Sequence, residues 1–198
     1  MTHNKIKISD ISSLLSDVRA CNRCQDLALG AKPILQLNPE AKILIAGQAP
    51  GRMTHHKGIP FDDPSGDRLR DWMGIDCDVF YNESAIAILP MAFCYPGTGK
   101  SGDLPPPIQC ADQWRVQLLE LLPNVELTLV IGQYALDWHL GSNKQRTLTE
   151  TVRLWQNHWP ELLPMPHPSP RNNRWLKNNP WFAKDVLPEL KKQVAALL

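Results

Sequence analysis

Three groups of residues in this chain are of types and spacings that could do chemistry. The first is a pair of cysteine pairs, Cys21-x2-Cys24 and Cys94-x15-Cys110, each joined by a segment able to wrap a metal centre. Four thiolates suit zinc and suit an iron–sulfur cluster. The spacing leaves both open, together with plain unligated thiols; Cys77 stands alone and reads as a packed thiol. The second group is the turn Gly47-Gln48-Ala49-Pro50-Gly51, followed by Gly58-Ile59-Pro60-Phe61 and by Asp62, Asp63 and Asp67. Glycines there let backbone N–H groups come close to a ligand, Phe61 offers a stacking plate or a core ring, and the carboxylates can take a proton or simply cap a helix. The third is His167-Pro168-Ser169-Pro170-Arg171-Asn172, an imidazole on a stiff proline-rich turn, able to donate or accept a hydrogen bond at neutral pH.

The elements that must position these groups follow from hydrophobic patterning. Apolar runs at residues 42–46, 85–89, 127–131 and 162–165 read as strands. Helical spacing covers 8–19, 68–73 (opened by Ser65-Gly66-Asp67), 109–122, 133–140 (closed by Gly141) and 181–198, with a Pro/Gly-rich loop at 96–107. Strands alternating with helices predict a three-layer α/β/α fold around a central, mainly parallel four-stranded sheet. Such sheets carry their sites at the carboxyl ends of strands, where both the Gly47 and the His167 turns fall. Trp114, Trp138, Trp155 and Trp159 are assigned to the core or the fringe of the sheet, and Trp175 and Trp181 to packing.

A chain of 198 residues with 43% hydrophobic content predicts one domain, 1–198. The 21 basic and 20 acidic side chains leave a net charge of +1, which excludes the blanket electrostatics of a histone-like binder and makes any nucleic-acid contact a local patch. The first 16 residues mix polar and apolar types without the run of a leader or membrane span. The expectation is a cytoplasmic monomer with no membrane partner, in which disulfides are disfavoured.

The order of these motifs resembles the iron–sulfur uracil-DNA glycosylases of families 4 and 5, over nearly the whole chain, and the His167 motif is similar to that of single-strand-selective monofunctional uracil glycosylases. The resemblance implies a uracil-DNA glycosylase-like fold and a monofunctional DNA-repair hydrolase. Such an enzyme cleaves the N-glycosidic bond of a flipped-out deaminated base in DNA and leaves an abasic site for base excision repair. By that resemblance Cys21, Cys24, Cys94 and Cys110 ligate a 4Fe-4S cluster of structural role, since hydrolysis needs no electron. Gly47, Gln48, Ala49, Phe61 and His167 bind the base, Phe61 by stacking and His167 by donating to its carbonyl oxygen. Asp63 is the catalytic carboxylate and Gln48 orients water. Pro168, Ser169 and Pro170 press on the DNA backbone, Arg171 is the wedge, and Arg174 joins the phosphate contacts.

The chain departs from the pattern in three places. Gln48 stands where family 4 has Glu, Asp63 follows Phe61 one residue sooner than in family 5, and Pro90 replaces the Asn that reads the base edge. Loss of a bidentate reader removes roughly 1–3 kcal/mol of discrimination, which widens the expected substrates from uracil to hypoxanthine and xanthine. With no lysine in either motif, a Schiff base is not expected. His55 and His56 are assigned to a mobile loop near DNA. Two other readings are a non-catalytic damaged-DNA binder of the same fold and a four-cysteine zinc protein acting on nucleotides or carbohydrates.

Overall fold

The computed structural model describes residues 8–100 and 102–198. The expectation for the first 16 residues falls partly outside them; among the described residues no helix is long and apolar enough to cross a membrane. The strands are β1 (Ile43–Ala46), β2 (Ile86–Ile88), the short β3 (Thr98–Gly99) and β4 (Gly102–Asp103), β5 (Leu127–Ile131) and β6 (Leu162–Met165). β2, β1, β5 and β6 lie side by side in that order, all parallel, with Ile43 opposite Ile86 and Leu127, and Leu129 opposite Leu163. β3 and β4 form a separate antiparallel hairpin inside the Pro/Gly loop.

Burial on both faces explains why these strands are unbroken apolar runs. The helices are α1 (Ile8–Arg19), α2 (Arg52–Lys57), α3 (Pro64–Met73), α4 (Cys77–Phe80), α5 (Ile108–Cys110), α6 (Val116–Glu120), α7 (Gln133–Leu140), α8 (Leu148–Arg153), α9 (Asn173–Asn178) and α10 (Leu187–Leu197). Side chains alternate across β1: Ile43 and Ile45 pack with Leu69, Trp72 and Met73 of α3, Val152 of α8 and Leu190 and Val194 of α10. Leu44 points the other way, to Val18 of α1 and Leu118 of α6, and Ala46 meets Ala135, Leu136 and Leu140 of α7. These are the three layers the patterning predicts. Trp155 is buried, whereas Trp138 lies at the fringe, 39% exposed.

Several expectations are corrected. α3 opens at Pro64, not after Ser65, because Asp63 Oδ1 accepts the Gly66 N–H at 2.9 Å and caps the helix. The single helix expected over 109–122 is α5 and α6 joined by a π-helical turn, Ala111–Arg115. Cys77 is exposed rather than packed. His55 and His56 sit on α2, and His55 is buried.

The turn into α3 requires glycine at position 66. A Cβ there would stand 1.7 Å from the Phe61 carbonyl oxygen, and because that is backbone the helix or the Phe61 turn must move. Gly66→Ala is expected to cost about 1–3 kcal/mol by overpacking, or roughly 2–4 °C of melting temperature per kcal/mol. A thermal melt at the wild-type value would contradict the close approach.

Candidate active site

A cleft of about 490 Å³ opens at the carboxyl ends of β1, β2 and β6, beside the point where strand order reverses and parallel sheets leave a crevice. The turn after β1 supplies Gly47, Gln48 and Ala49 to its wall, and the residues after β2 supply Pro90. Met91 N–H donates to Gly47 O at 2.8 Å and Ala92 N–H to Gln48 O at 3.1 Å, which fixes the two strand ends to each other. Gln48 Nε2 donates to Leu104 O at 3.0 Å. Its amide nitrogen therefore tethers the β3–β4 loop, leaving Oε1 as its remaining polar atom. Pro90 presents no hydrogen-bonding side chain to the cleft.

Phe61 lines the same cleft, with its ring edge over Gly47: a Cβ on that glycine would meet Phe61 Cζ at 3.7 Å. Its φ of 55° lies in the left-handed region, which is unfavourable for a bulky residue. The surroundings hold it there. Arg70 Nη1 donates to Phe61 O at 3.3 Å, and the ring meets Phe80 edge-on with centroids 6.1 Å apart. Asp63 lines the cleft as well as capping α3; Oδ1 is committed to the cap, and Oδ2 is the oxygen near Gly51.

His167 enters from the end of β6. Ser169 N–H donates to its Nδ1 at 3.1 Å, so that nitrogen is an acceptor, the ring is neutral, and the proton is assigned to Nε2. Burial lowers the His167 pKa from its ordinary value, against the pull of Asp63 and Asp103 upward. Asn172 Nδ2 donates to His167 O at 2.8 Å. Arg68 of α3 donates from Nη1 to Ser169 O at 3.1 Å and from Nη2 to Asn173 Oδ1 at 2.8 Å, joining the His167 turn to the helix that follows Phe61.

Ser169, Pro170 and Arg171 reach the cleft wall, whereas Pro168 is buried outside that lining and Arg174 is exposed on α9, also outside it. Asp103 was not singled out in the sequence, yet it lines the cleft from β4. Arg68 was read only as part of a helix. Neither carries a local signal: Arg68 becomes informative through Ser169 and Asn173, and Asp103 only through the distant residues that share its cleft.

The four paired cysteines line a second cavity, walled in part by residues 92–94. Ile34 N–H donates to Phe93 O at 2.7 Å and Gln36 exchanges backbone bonds with Ile88, so the segment after Cys24 runs along the β2 edge and brings Cys21 and Cys24 to Cys94. Two donors face sulfur: Phe93 N–H lies 3.4 Å from Cys110 Sγ and Gln109 Nε2 3.7 Å from Cys24 Sγ. Burial pushes Cys110 up to about 12, and the neighbouring cysteines add to the rise. Among the described residues no three Cys, His, Asp or Glu side chains are already drawn to metal-ligand spacing. The donor set, four thiols on one cavity with N–H groups on two sulfurs, is of a kind that can hold a four-thiolate centre.

Three histidines are held neutral, which sets the direction of the pH response. Burial, then the Arg115 guanidinium, push His139 down to about 3, and burial lowers His55 and His167. On unfolding each returns to about 6.5 and takes up a proton below that pH, while the folded protein does not. Stability is therefore complete above pH 6.5 or so and falls as pH drops toward the folded values. Melting temperature is expected to decline already between about pH 6.5 and pH 5, above the usual carboxylate range near 4; a flat profile in that window would contradict it.

Two comparisons with known proteins bear on the chain. The family model of the uracil DNA glycosylase superfamily matches residues 35–191. The solution NMR structure of a provisionally named uracil DNA glycosylase from Methanosarcina acetivorans is similar at 20% identity and a TM-score of 0.46, covering 78% of this chain and 94% of that one.

Proposed function

Because the chain belongs to the uracil DNA glycosylase superfamily, we propose that it hydrolyses the N-glycosidic bond of a deaminated base swung out of DNA, uracil first and hypoxanthine or xanthine next, leaving an abasic site. The observation that carries this reading is that Phe61 and a neutral His167 line one cleft at the strand ends. Extruding a nucleotide costs a few kcal/mol, and stacking on an aromatic ring returns about 1–3 kcal/mol, so Phe61 offsets much of the flipping. Water attacks the sugar C1′, the C1′–N bond breaks, and its electron pair leaves with the base. His167 Nε2–H supports the carbonyl oxygen where that charge gathers. A carboxylate on the cleft wall accepts the proton of the attacking water; the family resemblance points to Asp63, which lines the cleft. Gln48 keeps Oε1 to orient that water.

Pro90 on the cleft wall favours weak discrimination among bases, since it offers no edge reader. The test is release of free base from single- and double-stranded oligonucleotides containing uracil, hypoxanthine or xanthine. The expected products are free base and an alkali-labile site, with no strand nick. Tight binding of these oligonucleotides without release would overturn the enzymatic reading in favour of a damaged-DNA binder.

We likewise propose that Cys21, Cys24, Cys94 and Cys110, which line one cavity, would hold a 4Fe-4S cluster, which would supply a covalent tie between the N-terminal segment and the sheet rather than redox chemistry. Iron and sulfide in the purified protein, with broad visible absorbance, are expected; zinc without iron would overturn it.

A further inference from the structure

The Pro/Gly loop contributes a second carboxylate to the cleft, and its placement suggests a use. A Cβ built on Gly51 would lie 3.9 Å from Asp103 Oδ2 and 3.9 Å from Asp63 Oδ2, so two acids from separate parts of the chain converge on one stretch of cleft wall. Both also bear electrostatically on His167. They are not equivalent. Asp63 spends one oxygen capping α3. The Asp103 carboxylate has no hydrogen-bond or ion-pair partner among the described residues, although the Arg171 guanidinium lies close to the adjoining Gly102.

The backbone holding Asp103 is anchored on both sides. Asp103 pairs with Thr98 across the hairpin, Leu104 N–H donates to Gly97 O at 2.8 Å, and Leu104 O accepts from Gln48 Nε2 at 3.0 Å. Gln48 thus couples the turn that binds the base to the loop that carries this acid. An unpaired carboxylate on a fixed backbone at a reaction cleft is what a general base requires, because pairing with a cation would lower its basicity.

From this geometry we propose that Asp103, resting on the glycosylase reading above, is the catalytic residue that takes the proton from the attacking water, while Asp63 remains a fixed negative charge facing the sugar. The water oxygen forms its bond to C1′, its proton passes to Asp103 Oδ2, the C1′–N pair leaves with the base, and Asp103 later returns the proton to solvent.

The test is single-turnover base release by wild type, Asp103→Asn and Asp63→Asn, with binding measured on an oligonucleotide bearing an uncleavable uridine analogue. Asp103→Asn is expected to slow release about a hundred-fold or more, to bind at least as tightly as wild type and to melt at the wild-type temperature. Asp103→Asn that releases base at the wild-type rate overturns the assignment, whatever Asp63→Asn does, and leaves the glycosylase reading standing. No release by wild type from any of the oligonucleotides overturns both.

Discussion

Substitution of His167 by Ala is expected to lower the rate of base release by about some hundreds-fold, because a single preorganised donor at a developing anion is worth roughly 3–4 kcal/mol. The structure gives this donor an unusual constraint. Ser169 N–H occupies Nδ1, so the ring cannot take a second proton without breaking its own turn, and burial lowers its pKa further. On the proposed reading the imidazole acts as a neutral donor through Nε2. The effect belongs in the chemical step, so substrate binding is expected to change much less than rate. Removing the turn contact costs about 1 kcal/mol, which limits the fall in melting temperature to a few degrees. His167→Ala that releases base at the wild-type rate would show that the leaving group is stabilised elsewhere.

Arg115→Ala is expected to be strongly destabilising, by about 3 kcal/mol or more. Arg115 is 1% exposed. Its Nη1 donates to Leu89 O at 2.8 Å and to Pro90 O at 3.2 Å, its Nη2 lies 2.6 Å from His139 Nε2, and its guanidinium stacks 4.8 Å from the Trp138 ring centroid. Burial pushes it down to about 10, still charged at neutral pH. Truncation leaves two carbonyls and an imidazole without partners, at about 1–3 kcal/mol for each buried orphan, and opens a cavity as well. A melt lowered by roughly 6–12 °C follows from the usual scaling. Arg115→Lys is not expected to restore it, since one ammonium cannot reproduce a planar fork. Because Pro90 forms part of the cleft wall, the loss should reach base release too. A melting temperature within about 1 °C of wild type would refute this role.

Much of the frame was legible because it rests on local rules. The four apolar runs are the four strands of the sheet, and Gly141 does close α7. The turns at Gly47 and His167 do line one cleft, together with Phe61. Some local signals were passed over: Thr147 and Glu150 form a capping box at the start of α8, a Thr-x-x-Glu spelling present in the sequence. Asp63 was weighed as acid and as cap; the structure shows the cap, with Oδ1 accepting from Gly66 N–H and Oδ2 lying near Gly51.

Other features had no local expression. Arg115 sits on a helical stretch whose charged residues ordinarily face water, and only the π-helical turn and the Leu89–Pro90 carbonyls make it a buried hub. Asp103 lies in a Pro/Gly stretch with no periodicity to read, and its position depends on a hairpin tethered by Gln48 from 56 residues away in sequence. His55 resembled a loop histidine until α2 folded it under Lys32, whose Nζ donates to His55 O at 2.6 Å.

Phe61 and the Nε2–H of His167 are expected to grip opposite features of one swung-out base. A crystal structure of the protein with an oligonucleotide carrying an uncleavable uridine analogue tests it most directly. The base is expected outside the helix, its face on Phe61 and a carbonyl oxygen about 3 Å from His167 Nε2. A base still stacked in the DNA, or seated in another cavity while the Phe61–His167 cleft holds only solvent, would contradict it.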